Sequence, residues 1–301
     1  TPTDDAHRFC SPLSAPQRTA RPPLHVNGNN PGFDEPSANR RRGRDRERGG
    51  QRRSAMLALD GIAKRYGETV ALDDVSIGYT AGHVHTILGE NGSGKSTLVK
   101  LLTGVVQPDR GTIAIDGRAV RLRDPRQARA HGIATVFQEV LLAPHRTVLD
   151  NIFLGYDGLW RRSVALAERR ELAARTLARI TRTPPPLELR GEAVPLAQQQ
   201  LVVLARALIR DPRILILDEV TAALDFADRD VLFEAIRQFV ADGRLVLFIS
   251  HRMDEVERLS DRVTVLRNGR AIETLEGGEI TPARLLGLMI PDARLVVHAH
   301  G

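Results

Sequence analysis

"HTILGENGSGKSTLVKLLTG" occupies residues 85–104, and its reading decides the fold. An apolar run, "HTILG" (85–89), reads as a buried strand, and "KSTLVKLLTG" (95–104) reads as a helix. Between them "GENGSGKST" (89–97) matches G-x-x-x-x-G-K-[ST] with the strand before it and the helix after it. Gly89, Gly92 and Gly94 let the backbone wrap so that its N–H groups face an anion at a helix N-terminus. Glu90, Asn91, Ser93 and Thr97 complete the loop, Lys95 reaches the outer phosphates, and the Ser96 hydroxyl can ligate Mg²⁺. The stretch predicts a nucleoside triphosphate site.

A second run supports it. "ILILDE" (214–219) places Asp218 and Glu219 at the C-terminal end of a strand, where open α/β sheets bind ligands. Asp218 would orient Mg²⁺ through water, and Glu219 would polarise an attacking water. Phosphoryl transfer is mostly positioning and charge stabilisation, so a lysine, a metal and a base are the parts to expect.

Outward from these two runs, β-rich segments recur at "GTIAIDG" (111–117), "IATVFQ" (133–138), "RLVLFIS" (244–250) and "RVTVLRNG" (262–269). Several are continuously apolar, as strands buried on both faces are. Helical patterns separate them, which predicts an α/β fold with a mostly parallel central sheet; the fold expected is a P-loop NTPase of this kind with an N-terminal antiparallel β subdomain. Residues 143–208 hold no strand candidate, and "SVALAERRELAARTLARI" (163–180) reads as an amphipathic helix. We read 143–208 as an inserted helical subdomain within a domain spanning 56–290.

Composition bounds the remainder. The chain has 301 residues, and its 42% hydrophobic share is ample for a core. The net charge of +6 invites a nucleic-acid reading, but residues 1–54 hold eleven Arg against six acids, leaving +1 for residues 55–301. Residues 1–55 also carry seven of the seventeen prolines, so they read as a disordered Arg/Pro-rich tail, either a solvated linker or an extension upstream of Met56. Residues 291–301 read as a C-terminal tail. The basic run at 40–53 could touch phosphates or anionic lipid. No signal peptide is expected, since no long apolar stretch follows a basic start. No run approaches the roughly 20 apolar residues that span a bilayer, so a soluble chain is expected. A single cysteine, Cys10, excludes a disulfide framework and agrees with a reducing compartment.

Taken together, these motifs resemble the nucleotide-binding subunits of ATP-binding cassette (ABC) transporters over about residues 56–290. The resemblance places Tyr66, in "AKRYGETVALDDVS", where the family stacks an aromatic on adenine. It places Gln138 in the loop that touches Mg²⁺ and senses the membrane partner. It makes "TAALD" (221–225) the loop that crosses to a second cassette, with Asp225 as its acid, and His251 the γ-phosphate histidine. Val220 stands where the family usually has proline. "HGIATVFQE", "DNIFLG" and "SHRMDEV" are similar to the ATPases of ribose-, galactose- and xylose-type sugar importers. Such ATPases usually hold two cassettes in one chain. This sequence holds one, as a half-size subunit, a fragment or a shortened gene product.

The resemblance implies ATP and Mg²⁺ as cofactors and an ATP-hydrolysing subunit peripheral to the cytoplasmic face of the membrane. Its partners would be permease subunits and a second cassette, identical or different, with a sugar-binding protein further out. No nucleic-acid partner is expected. Two other readings stay open: a degenerate or truncated cassette that binds ATP with little turnover, and a soluble non-transport ATPase.

One departure stands out. "GEAVPLAQQQLVVLARAL" (191–208) lies at the family's signature helix, usually Leu-Ser-Gly-Gly-Gln, and places Val194, Pro195, Leu196, Ala197 and Gln198 on those positions. In the family this helix caps the γ-phosphate of the partner cassette. Pro195 offers neither hydroxyl nor N–H, and Ala197 adds a methyl. The expectation is a helix that forms normally, with Pro195 in its first turn, and a weakened site in trans.

Overall fold

The computed structural model describes residues 55–156 and 164–290. The readings of the N-terminal tail, apart from Ala55, and of 291–301 lie outside the described residues.

Two sheets form the frame. In the first, β1 (Leu57–Tyr66), β2 (Thr69–Tyr79), β4 (Arg110–Ile115) and β5 (Arg118–Val120) pair antiparallel in the order β2-β1-β4-β5. The second contains β3 (Val84–Leu88), β6 (Ile133–Val136), β7 (Ile214–Asp218), β8 (Leu245–Ile249), β9 (Arg262–Arg267) and β10 (Arg270–Glu276), in the order β10-β9-β3-β8-β7-β6. It is parallel except for the β9–β10 hairpin. The "GTIAIDG" run therefore joins the antiparallel sheet. Its buried Ile113 and Ile115 alternate with more exposed residues, as expected of a strand that buries one face.

The parallel strands carry two cores. Ile214 and Ile216 of β7 pack with Leu98, Val99, Leu101 and Leu102 of α1 (Lys95–Leu102) and with the antiparallel sheet. Leu215 and Leu217, pointing the other way, pack with α3 (Val148–Ile152), α4 (Leu166–Ala178), α5 (Leu196–Leu208) and α6 (Phe226–Ala241). Period-2 alternation in a strand buried on both faces produces this division. In β8 every residue is buried, and Phe248 meets Phe233 of α6 edge-on with centroids 6.3 Å apart. Truncating Phe248 to alanine would cost about 3–5 kcal/mol. A third, smaller cluster seats α7 (Met253–Leu259) and α8 (Pro282–Met289) against β9.

Short polar residues start several helices. Asp124 caps α2 (Pro125–Ala130) by accepting from the Arg126 and Gln127 N–H groups, with Pro125 at its first position. Thr147 caps α3 in the same way through the Asp150 N–H. The helical arm contains no strand among its described residues, only an isolated bridge between Thr147 and Arg190. Its fully buried Asn151 donates to the Ala143 and Thr147 carbonyls and accepts from the Ala143 N–H, tying the 143–147 loop to α3. Arg206 of α5 donates to the Asn151 carbonyl at 2.8 Å, which joins α3 to α5.

The signature region differs from its reading in one respect. Residues 191–193 form a 3₁₀ turn, and α5 begins only at Leu196. Pro195 is the N-cap, extended at φ −57° and ψ 149°, with its carbonyl accepting from the Gln199 N–H. The ring fits this extended position without displacing a helical hydrogen bond.

Candidate functional site

Register brings the site together. Ile87 of β3 pairs with Ile249 of β8, and Ile249 pairs with Asp218 of β7. Three parallel strands thus end side by side, delivering Gly89, Asp218–Glu219 and Ser250–His251 to one edge of the sheet. At the far strand Val136 pairs with Leu217, so exposed Gln138 emerges at the same end.

The glycine loop fits an anion. A Cβ on Gly89 would collide with the Leu266 carbonyl oxygen, so close packing requires glycine there. Gly94 has φ 108° and abuts the Ala71 carbonyl, so it needs both freedom and space. It serves as N-cap of α1 without a side-chain cap, and the first turn holds no acid, so the helix amides stay open to a negative group. Buried Ser93 has no partner for its hydroxyl among the described residues. Lys95 is buried, and its ammonium donates to the Gly89 and Glu90 carbonyls at 2.7 and 2.9 Å. An ammonium has three donors, so one remains for a phosphate oxygen. Burial lowers the Lys95 pKa, while Glu219 and Asp218 nearby push it back up. Ser96 is exposed beside Lys95, with Thr97 half-buried one position on.

The acidic pair is asymmetric. Burial, followed by the like charge of Glu219, lifts Asp218 to about 6, against the opposing pull of Lys95 and Lys100. A cation beside Asp218 would relieve this penalty. Among the described residues no three His, Cys, Asp or Glu side chains cluster as a metal cage. The donor set of Ser96, Gln138 and one carboxylate instead suits Mg²⁺ carried on substrate phosphates. Glu219 sits at φ +50°, a left-handed conformation unusual for a residue with a Cβ. Its N–H donates to the Ile249 carbonyl at 3.0 Å, and its Oε1 lies 3.1 Å from His251 Nδ1. The turn thus swings the carboxylate toward β8, leaving the His251 side chain largely exposed.

Other predicted residues fall around this core. Tyr66 is 46% exposed at the end of β1, with Lys64 Nζ over its ring 5.6 Å from the centroid, so the side chain is not packed in a core. Its hairpin continues into Ala71 and Leu72, which pack on Gly94. The Asp225 carboxylate accepts from the Asp228 N–H at 2.8 Å and caps α6. Val220 is buried, a packing position in the turn after Glu219.

Sequence reasoning passed over Glu255. Almost wholly buried on α7, it accepts from Ser250 Oγ at 2.6 Å and Thr221 Oγ1 at 2.9 Å, with Arg229 and Arg252 each at 3.5 Å. It joins the loop that follows Glu219 to the loop that carries His251. Only the fold reveals this, since Thr221 and Glu255 are 34 residues apart in sequence.

A groove of about 320 Å³ opens beside Gln138's neighbours, lined by Phe137, Leu141, Leu154 and Val203 with Arg129 and Arg206.

A glycine loop, a strand-end acidic pair and a strand-end histidine at the edge of a parallel sheet define a P-loop nucleotide-binding cassette. A profile of the ABC transporter family matches residues 72–222, half of the chain. The chain belongs to that family. It is 40% identical over 235 residues to the ribose import ATP-binding protein RbsA 1 of Rhizobium johnstonii, covering 78% of this chain and 46% of that protein. It is 41% identical over 244 residues to the arabinose import ATP-binding protein AraG 2 of Burkholderia thailandensis, covering 80% and 46%. The chain spans about half the length of the curated relatives it matches. Among solved structures, a nucleotide-free ATP-binding cassette from an ABC transporter superposes with TM-score 0.68 at 26% identity, covering 80% of this chain and 97% of that one. The dimeric cassette MJ0796 gives TM-score 0.67 at 28% identity, covering 73% and 98%. The fold is that of an ABC ATPase cassette.

Proposed function

We propose that this chain is the ATP-binding and ATP-hydrolysing cassette of an importer for a monosaccharide, acting peripherally at the cytoplasmic face of a membrane. The observation that carries the proposal is the register-matched delivery of Lys95, Asp218, Glu219 and His251 to one sheet edge. The import names of relatives at about 40% identity support the transport part.

In this reading the amides of the glycine loop and the Lys95 ammonium hold the β- and γ-phosphates of ATP, with Tyr66 against the base. Ser96, Gln138 and Asp218 would hold Mg²⁺, which supplies charge neutralisation on the phosphates when bound. Glu219 accepts a proton from the attacking water, and His251 orients the Glu219 carboxylate and contacts the terminal phosphate. Asp225 and the turn before it face a second cassette, identical or different. The groove beside Phe137 takes a segment of a membrane permease, and a sugar-binding protein delivers substrate to that permease. None of this requires nucleic acid. No described helix is long and apolar enough to cross a membrane, so the permease would be a separate chain or segment.

One feature favours a slow cassette. Pro195 at the N-cap of α5 supplies no hydroxyl, and Leu196 beside it is 63% exposed. Turnover of the parent and of Glu219→Gln, compared alongside ATP binding, tests the proposal. A parent that hydrolyses well above the variant supports it. Equal turnover with intact binding would leave a binding-only cassette.

A further inference from the structure

The balanced charge of the folded part conceals a local imbalance. Residues 118–129, "RAVRLRDPRQAR", contain five arginines and one acid. All five arginines, 118, 121, 123, 126 and 129, are exposed, and none forms an ion pair among the described residues. Three acids near them are already committed, while Glu139 is exposed in the groove that Arg129 also lines. Asp124 caps α2, Asp116 is held by both Arg213 nitrogens at 2.8 and 3.1 Å, and Asp211 pairs with Arg244 at 2.7 Å. Asp116 feels Arg118 only as the weakest of the influences lowering its pKa.

The scaffold holds these arginines on a common surface. β5 is the edge of its sheet, with Arg118 paired to Ile115. Arg121 and Arg123 flank Leu122, which is buried, and the Leu122 carbonyl accepts from Gln107 Nε2 at 2.5 Å. Both neighbours of Leu122 are exposed. Arg126 and Arg129 are three apart on α2 and share a helix face. Arg118 and Arg129 line one groove, and Arg129 also lines the groove beside Phe137. The surface is thus continuous with the groove we assign to the permease.

We propose that this face, β5 through α2, rests on the anionic headgroups of the membrane beside the docked permease. The orientation rests on the permease reading above. A diffuse array of exposed guanidinium groups with three nearby acids already paired or capping suits a charged surface rather than one small anion, and apposition to an anionic leaflet contributes about fivefold in affinity per arginine.

The test is vesicle flotation of the full chain. Expected is binding to phosphatidylcholine vesicles containing phosphatidylglycerol, none to pure phosphatidylcholine, and weakening as salt rises. Arg118→Gln/Arg121→Gln/Arg123→Gln/Arg126→Gln should bind at least about tenfold more weakly, whereas Arg40→Gln/Arg41→Gln/Arg42→Gln/Arg44→Gln in the tail should retain most binding. Parent-like flotation of the first variant, or loss only in the tail variant, would overturn the proposal. So would an oligonucleotide that binds the parent more tightly than vesicles do and is released by the same four changes. Permease co-purification is a separate readout. Its failure alongside patch-dependent flotation would remove the transport reading and leave the lipid surface standing.

Discussion

His251 Nδ1 lies 3.1 Å from Glu219 Oε1, although the two residues are 32 positions apart. The contact depends on Glu219 adopting φ +50°, which turns its carboxylate toward the end of β8. Glutamine at 219 keeps the shape and removes the base, so Glu219→Gln should lower kcat by roughly 10²–10⁴ while ATP still binds. His251→Ala should lower kcat with a smaller change in KM, read by phosphate release. A His251→Ala enzyme with parental kcat would show that the contact has no part in turnover.

Lys95→Ala should weaken ATP binding at least about tenfold, because it deletes the one buried ammonium in the loop while the amides remain. Calorimetric titration with ATP and Mg²⁺ reads this directly. Unchanged affinity would refute the phosphate site.

Pro195→Ser/Ala197→Gly should hydrolyse ATP faster than the parent, if two copies of the chain pair. A donor missing from a developing charge typically costs roughly 10²–10³ in rate. Serine at the N-cap also adds an acceptor for a free N–H of α5, about 1 kcal/mol of stability. A gain in thermal stability without a gain in turnover would separate capping from catalysis.

Asp218→Asn should abolish Mg²⁺-dependent turnover and yet stabilise the fold at neutral pH. The folded pKa of Asp218 is raised to about 6 from 3.8, so the folded protein holds this proton more tightly than the unfolded chain does. The group therefore favours folding at low pH, and that contribution is lost as pH rises through about 6. The gain in Tm of the variant over the parent should be largest above about pH 6 and shrink toward pH 4. A gain independent of pH would contradict this.

Glu255→Ala should destabilise the fold by about 3–5 kcal/mol, since it leaves Arg229 buried beside unpaired hydroxyls. Glu255→Gln keeps the acceptor, and should recover part of the stability. Urea denaturation of both variants checks the order.

Much of this site is legible in the chain. The glycine loop and the strand-end acids are local patterns, each a strand followed by a turn, and the family resemblance places His251 at the end of another strand. The helical arm is equally legible, because a long interval without β-rich runs needs no partner to be recognised. The start of α5 was misplaced, since a proline is compatible with both an N-cap and a first turn and only the backbone angles separate them. The resemblance makes Asp225 a site acid, and only the fold shows that its carboxylate also caps α6.

Primary structure alone thus determined which segment carries the phosphate-loop pattern, which are strands buried on both faces, and to what family they point, because turn chemistry and periodicity are properties of neighbours along the chain. Tertiary structure decided what register and crossover connections control: that β3, β8 and β7 end in one row, that Glu219 meets His251, that Glu255 clasps two loops, and that Arg213 takes up Asp116 beside the arginine-rich stretch. Those relations join residues tens of positions apart, and no local preference encodes a distance between them.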